Sequence, residues 1–152
     1  SHTTGFPIKS KGSEIKSTKY LLSTGDVLLS KIIPHLNRTW VVGESDHRMI
    51  GSGEWVQFPR TEEIMPEYLA YFLSTQTFVD YCVANVSGVG GSLRRTNKSA
   101  IEEYPIPIPP IEEQQRIVNI LEDAFANISE TVTQTKNSLL QSNELYEQRK
   151  EQ

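Results

Sequence analysis

The fold of this chain depends on residues 104–110, which read Tyr-Pro-Ile-Pro-Ile-Pro-Pro. Four prolines in this short run exclude a helix and favour an extended, stiff connection. After Pro110 the chain contains neither proline nor glycine, so no helix breaker interrupts residues 111–152. The sequence therefore predicts two parts: a domain at residues 1–108 and a single long helix at residues 109–152.

The predicted helix carries an apolar stripe with the alternating three-and-four spacing of a coiled-coil heptad. Polar residues at two further heptad positions, Thr135 and Ser142, weaken this seam. A helix of about 38 residues would reach roughly 57 Å, which is longer than one small domain can cover. The stripe therefore predicts a partner helix, and the alternative is a helix that folds back on its own domain. The expected pairing residues are Val118, Leu121, Phe125, Ile128, Val132, Leu139 and Tyr146.

The residues before the proline run predict short strands and helices. Apolar runs at 27–33, 39–42 and 54–58 indicate strands separated by glycine and proline. Pro66 opens a helical pattern that we expect to break near Ser74 into two short helices. We therefore predict an α+β fold: a mixed α/β domain followed by one long C-terminal α-helix that forms a coiled coil.

The composition is that of a globular protein, with 152 residues of which 37% are apolar and 22% charged. The one cysteine, Cys82, cannot form an internal disulfide, which favours a reducing compartment. No uncharged apolar run approaches the roughly 18 residues that a membrane span needs. We therefore expect a cytoplasmic protein that does not associate with membranes.

The net charge of −4 is unevenly distributed, because acidic side chains dominate the long helix and basic ones cluster before it. Two polar, basic segments stand out: the first basic segment at residues 31–38, in an irregular stretch that breaks a strand, and the second at residues 92–98, in a glycine-rich stretch at 87–99 that predicts a flexible loop. They suit DNA, because arginine can donate two hydrogen bonds to guanine, asparagine can bond adenine, and lysine and hydroxyl groups can hold phosphate. The candidate DNA-binding residues are Lys31, His35, Asn37, Arg38, Ser92, Arg94, Arg95, Thr96, Asn97 and Lys98.

No constellation of residues predicts catalysis. His2, His35 and His47 lack the spacing of zinc ligands, so we expect no metal site. The glycine-rich residues 88–92 lack the Gly-Lys-Ser/Thr ending of a phosphate loop, so we expect no nucleotide cofactor. Glu14 and the lysine two residues later resemble half of a metal-dependent nuclease site, but no Pro-Asp element precedes them. The sequence favours a non-catalytic protein without a cofactor, and a nuclease is the weaker alternative.

Three segments resemble the specificity subunits of type I restriction-modification systems. Residues 105–118 are similar to the family's strand-to-helix junction, which has the pattern Pro-x-Pro-x-Pro-Pro, aliphatic, x-Glu-Gln-x-x-Ile. Residues 25–32 resemble its Gly-Asp-hydrophobic-Leu-x-Ser/Thr-Lys/Arg segment, and residues 66–73 resemble the helix that follows. The resemblance covers residues 18–149. Because the family's DNA-reading domain usually begins further upstream, it also implies that an N-terminal portion is missing.

The resemblance implies a non-catalytic subunit that binds DNA in a sequence-specific way. In that family a subunit carries two target-recognition domains joined by two antiparallel helices, and each domain reads one half of a bipartite target. Methylation and cleavage belong to separate modification and restriction subunits. Residues 1–108 would then be one target-recognition domain, and residues 109–152 one coiled-coil helix.

Four partners are expected on this basis. They are double-stranded DNA, the modification (methyltransferase) subunit, the restriction subunit, and a second copy of the chain or the other half of the subunit bound through the helix. The alternative is a non-catalytic coiled-coil adaptor whose globular part binds protein, because a generic exposed loop can share the composition of the two basic segments.

Overall fold

The computed structural model describes residues 11–87 and 94–150 of the chain. The chain divides into two compact units, the first ending at Gln114 and the second beginning at Gln115. Mixed strands and short helices form the first unit, and a long helix forms the second. The predicted α+β class is therefore confirmed.

Short antiparallel strands build the first unit. β2 lies between β3 and β5 in a three-stranded sheet, with Leu29 opposite both Thr39 and Val56. β1 pairs with β4, and β6 pairs with β7, in two further ribbons. The strands are β1 (Lys19–Leu22), β2 (Val27–Ser30), β3 (Thr39–Val41), β4 (Met49–Ser52), β5 (Trp55–Phe58), β6 (Val86–Ser87) and β7 (Arg95–Thr96).

The helices begin and end where the local sequence favours it. α1 begins at Pro66, a position at which the missing proline N–H has no helical partner to lose. The predicted break near Ser74 is confirmed, since α1 ends at Leu73 and α2 begins at Gln76. The four α-helices of the described residues are α1 (Pro66–Leu73), α2 (Gln76–Ala84), α3 (Lys98–Glu103) and α4 (Ile111–Lys150).

The core of the first unit packs β2 and β5 against α1, α2 and α3. All four residues of β2 are buried, which explains why its sequence is a continuous apolar run rather than an alternating one. Phe78 meets the ring of Tyr104 edge-on, with the centroids 5.0 Å apart. The main core residues are Val27, Leu29, Val56, Leu69, Leu73, Phe78, Cys82 and Ile101.

The strand predicted at residues 27–33 ends early, at Ser30. Ile33 has a φ of 51°, a left-handed conformation that a β-branched residue rarely adopts and that a strand cannot contain. Pro34 follows and has no N–H to donate to a neighbouring strand. The predicted strands at 39–42 and 54–58 are confirmed with slightly shorter bounds.

A tight turn leads into β2 and explains the Gly-Asp pair at its start. Gly25 has a φ of 87°, which favours glycine. The buried carboxylate of Asp26 accepts hydrogen bonds from the Ser23 amide at 2.8 Å, the Arg60 amide at 3.2 Å and the Gln57 Nε2 at 2.7 Å. This single side chain therefore fixes both the turn and the end of β5.

Gln114 ties the proline run to α1. Its side chain is fully buried and its Oε1 accepts a hydrogen bond from the Met65 amide at 2.9 Å. Its Nε2 donates to the carbonyl oxygens of Glu63 and Pro109, each at 2.8 Å. Because Met65 is the residue immediately before α1, one glutamine holds the start of α1 and the end of the proline run together.

α4 runs without interruption from Ile111 to Lys150, as the absence of proline and glycine predicts. Val118 is buried and Leu121 is half-buried. The remaining predicted pairing residues are 52–61% exposed, namely Phe125, Ile128, Val132, Leu139 and Tyr146. Within residues 11–87 and 94–150, none of the helices combines the length and apolarity that crossing a membrane requires.

Candidate nucleic-acid interface

The first basic segment leaves the end of β2 and forms an irregular turn. Pro34–Leu36 is a short 3-10 helix, bracketed by left-handed backbone at Ile33 and at Asn37, whose φ is 38°. Such conformations cost about 1–3 kcal/mol and persist only where the surrounding fold imposes them. The amide of Ser30 donates to the carbonyl of Arg38 at 2.9 Å, which closes the turn onto the sheet.

The second basic segment lies directly against the first. The Ile33 amide donates to the Arg94 carbonyl at 3.1 Å, and the Thr96 amide donates to the Lys31 carbonyl at 3.0 Å. Ile32 and Arg95 form an antiparallel bridge between these two bonds. The fold therefore brings together two basic segments that are far apart in the chain, although nothing in the sequence predicts that they meet.

Much of the second basic segment has regular structure, which the sequence did not predict. Arg95–Thr96 forms β7, which pairs with β6, and Lys98 is the first residue of α3. The sequence alone indicated a flexible loop because glycine and polar residues dominate residues 87–99. The pairing partners, Val86–Ser87 and Ile32, are supplied by other parts of the fold.

Arg95 holds a carboxylate that the sequence did not single out. Its Nε donates to Glu54 Oε2 at 2.8 Å and its second terminal nitrogen donates to Glu54 Oε1 at 2.9 Å. This is the two-point geometry that gives arginine–carboxylate pairs their directionality. The hydrogen bonds from Arg95 lower the pKa of the Glu54 carboxyl, burial partly opposes this, and the charges of Arg95 and Lys31 add to it. The same hydrogen bonds raise the pKa of Arg95.

Thr96 lies inside the fold rather than at its surface. It is 2% exposed, and its hydroxyl donates to the Cys82 carbonyl at 3.2 Å. Burial raises the pKa of the Cys82 thiol to about 11, so this cysteine is an unreactive part of the core. Asn97 precedes α3, and its amide donates to the Asn85 carbonyl at 3.0 Å while its side chain stays exposed.

The other candidate DNA-binding residues lie at or near the surface. His35, Arg94 and Lys98 are exposed, and Lys98 pairs with Glu102 at 2.8 Å. Lys31, Asn37 and Arg38 are half-buried, and the Asn37 Oδ1 accepts a hydrogen bond from Thr39 Oγ1 at 3.3 Å. Among the described residues, Lys31, Arg38 and Arg94 form no ion pair. Ser92 lies outside the described residues.

Glu54 is a residue of this surface that sequence reasoning missed. It lies in the turn between β4 and β5, between Gly53 and Trp55. An acidic residue next to a glycine ordinarily indicates only a solvent-exposed turn. No local pattern could have paired it with Arg95. Within the described residues, no group of histidine, cysteine and acidic side chains could hold a metal ion.

The chain combines an α+β unit, which carries two adjoining basic segments, with a long helix that carries an apolar stripe. Comparison with known proteins identifies the family to which this combination belongs. Residues 3–141 match the type I restriction modification DNA specificity domain family, and the chain belongs to this family. The resemblance found in the proline junction and the Gly-Asp segment is thereby confirmed.

Individual relatives agree with the family. The chain is 28% identical over 131 residues to the type I restriction enzyme EcoDI specificity subunit of Escherichia coli, covering 86% of this chain and 28% of that protein. It is 30% identical over 119 residues to a putative type I restriction enzyme MjaX specificity subunit of Methanocaldococcus jannaschii, covering 75% and 27%. The EcoKI specificity subunit of Escherichia coli K12 is 26% identical over 140 residues, covering 88% and 29%. The chain therefore spans less than a third of the length of these relatives.

Proposed function

We propose that this chain reads one half of a bipartite DNA target as part of a type I restriction-modification specificity subunit. The observation that carries the proposal is the meeting of the two basic segments through the Ile33–Arg94 and Lys31–Thr96 hydrogen bonds. These bonds place the backbone of both segments in one surface of the first unit. A single surface of this kind can contact one stretch of duplex at several points at once.

The charges of this surface suit a duplex. Arg38 and Arg94 form no ion pair among the described residues, and Lys31 acts on Glu54 through its charge without forming an ion pair, so these three cations suit phosphates. Arg94 is exposed and has the donor pattern that matches the major-groove edge of guanine. His35, Asn37 and Asn97 add further hydrogen-bonding groups at the same surface, while Thr96 supports it from inside.

The chain is proposed to act without catalysis, cofactor or metal, as a cytoplasmic subunit. The relatives it matches carry names of specificity subunits, and the activities of the whole complex then lie in the modification and restriction subunits. The exposed apolar residues of α4, beginning with Phe125, support a pairing helix, supplied by a second copy or by the other half of the subunit. The modification and restriction subunits are the further proposed partners.

A fluorescence titration tests the DNA-reading proposal. Duplexes selected by the chain from a random pool should bind more tightly than unselected duplexes at physiological salt. Arg94→Ala should weaken binding to the selected duplex by about 1–3 kcal/mol, or roughly 5- to 160-fold, and should relax preference at one base position. Lys31→Ala should weaken both duplexes and lower the salt dependence, because a phosphate contact carries no sequence information.

Lys136→Ala is the matched control. It removes the same charge from an exposed position on α4, so it corrects for the change in net charge and should leave both affinities near those of the unchanged chain. The proposal fails if selected and random duplexes bind equally, or if Arg94→Ala behaves like Lys136→Ala. Absence of DNA binding together with an intact helix-mediated assembly would instead favour the protein-binding adaptor.

A further inference from the structure

Glu54, in the turn between β4 and β5, joins the two basic segments of the candidate DNA-reading surface. Its backbone carbonyl accepts a hydrogen bond from the Lys31 amide at 2.9 Å, at the start of the first basic segment. Its carboxylate receives both hydrogen bonds from Arg95 in the second basic segment. The Thr96 amide then donates to the Lys31 carbonyl at 3.0 Å, so the connections form a closed ring.

The Glu54 carboxylate places a negative charge on a surface proposed to bind DNA, and its electrostatic effect alone would oppose that function. A carboxylate beside a duplex repels the phosphates and weakens binding to every sequence. Glu54 is only partly covered, with 37% of its side chain exposed, so the fold does not need it as a buried group. Its position is explained if its value lies in fixing the Arg95 fork and, through that fork, the backbone of β7.

We propose that Glu54 is a positioning residue for DNA specificity: it holds Arg95, and Arg95 fixes the segment from which Arg94 reads the duplex. The inference rests on the proposed function and assigns different roles to two neighbouring arginines. Arg95 acts on the protein, and Arg94, whose carbonyl is held by the Ile33 amide, acts on the DNA. A glutamate with the ordinary pKa of 4.5 is already ionised at neutral pH, and the hydrogen bonds from Arg95 lower the pKa of Glu54 further.

Removal of the Glu54 carboxylate should change the affinities for selected and random duplexes differently, and this difference distinguishes positioning from a charge effect. Glu54→Ala should weaken binding to the selected duplex by roughly 5- to 10-fold, the scale of a charged hydrogen-bonded pair that is only partly buried. Binding to random duplexes should be unchanged or tighter, because a negative charge has been removed. A loss of discrimination with no loss of general affinity identifies positioning rather than charge.

The control variant is Glu102→Ala. It also removes a carboxylate next to the second basic segment and also breaks a 2.8 Å ion pair, with Lys98. That pair joins neighbouring turns of one helix and holds no second segment. Glu102→Ala should therefore keep its discrimination between duplexes, and a loss equal to that of Glu54→Ala would overturn the inference.

The exchanged pair separates positioning from direct contact. Arg95→Ala alone should lose discrimination, and the double variant with Glu54→Arg and Arg95→Glu should recover most of it, because the ion pair is restored in reverse. A base contact made by Arg95 itself cannot be restored in this way. If the double variant binds as poorly as Arg95→Ala, Arg95 reads DNA directly and the inference is wrong.

Amide hydrogen exchange of the protein alone tests the structural half of the inference. In Glu54→Ala the amides of Ile33 and Thr96, which join the two segments, should be accelerated by a larger factor than the Leu29 amide in the central strand, which reports any change in the stability of the whole unit. Acceleration by the same factor at all three amides would mean that Glu54 acts only through the stability of the whole unit, which contradicts a positioning role. If the unchanged chain distinguishes selected from random duplexes and Glu54→Ala does so equally well, this inference alone is wrong. If the unchanged chain does not distinguish them, both the proposed function and this inference are wrong.

Discussion

Replacing Gln114 with leucine removes the hydrogen bonds of a fully buried side chain while keeping most of its volume. The amide of Met65 loses its acceptor, and the carbonyl oxygens of Glu63 and Pro109 each lose a donor. These three groups belong to the start of α1 and to the proline run. The substitution therefore tests whether the junction between these elements is held by one amide.

The expected cost follows from the exposure of the groups left behind. The Met65 amide belongs to a half-buried residue, so the loss of its acceptor costs about 1–2 kcal/mol, the lower part of the range for an unsatisfied buried group. Glu63 is exposed and Pro109 is half-buried, so water can partly replace the lost donors, at about 0.5–1 kcal/mol for each carbonyl. The total is about 2–4 kcal/mol, which corresponds to a fall in Tm of roughly 10–20 °C for a unit of this size.

Tryptophan fluorescence during urea or thermal unfolding measures this cost in the first unit alone. Both tryptophans of the chain, Trp40 and Trp55, lie in strands of the first unit, and the long helix has none. Gln115→Leu is the matched control, because Gln115 is exposed and its side chain donates a hydrogen bond across one helical turn to Asn119. The control should change stability by less than about 0.5 kcal/mol. A Gln114→Leu chain as stable as the control would refute the role assigned to this glutamine.

Three further predictions concern other parts of the chain. Phe125→Glu should shift sedimentation towards the monomer, because it places a charge in the apolar stripe of α4. Asn127→Glu adds the same charge outside the stripe and should not shift it. Equal sedimentation of the two variants would count against helix pairing. Cys82, with a thiol pKa of about 11 against an ordinary 9.0, should react with a thiol reagent at pH 8 at least roughly 100-fold more slowly in the folded than in the unfolded chain, and rapid native labelling would contradict its burial. Because the fold lowers the pKa of Glu54, its pairing with Arg95 stabilises the protein at pH values above the ordinary pKa of 4.5, and this stabilisation is lost as the pH falls through the folded pKa. The difference in unfolding free energy between the unchanged chain and Glu54→Gln should therefore be present at pH 7 and shrink on acidification. A difference that does not depend on pH would refute this prediction.

Local sequence predicted the helix and the main strands because their causes are local. Proline lacks an N–H and fixes its own backbone, so the run at residues 104–110 had to be extended whatever surrounded it. The heptad spacing of α4, which no proline or glycine breaks, and the apolar run of β2 are likewise local patterns that a short window reveals. The ribbon of β1 with β4 was not predicted, because its pairing depends on a partner strand distant in the chain.

The candidate site likewise has features that the sequence predicted and features that only the folded structure shows. Basic and amide side chains identified both segments as suited to DNA, because charge and hydrogen-bonding capacity belong to single residues. The sequence could not show that Thr96 turns into the core or that Arg95 is held by Glu54, since burial and ion pairing are properties of residues that meet only after folding. The sequence by itself thus supplied the chemistry through single residues and the family resemblance through short motifs, while the long-range hydrogen bonds at Ile33 and Thr96 decided which residues share one surface.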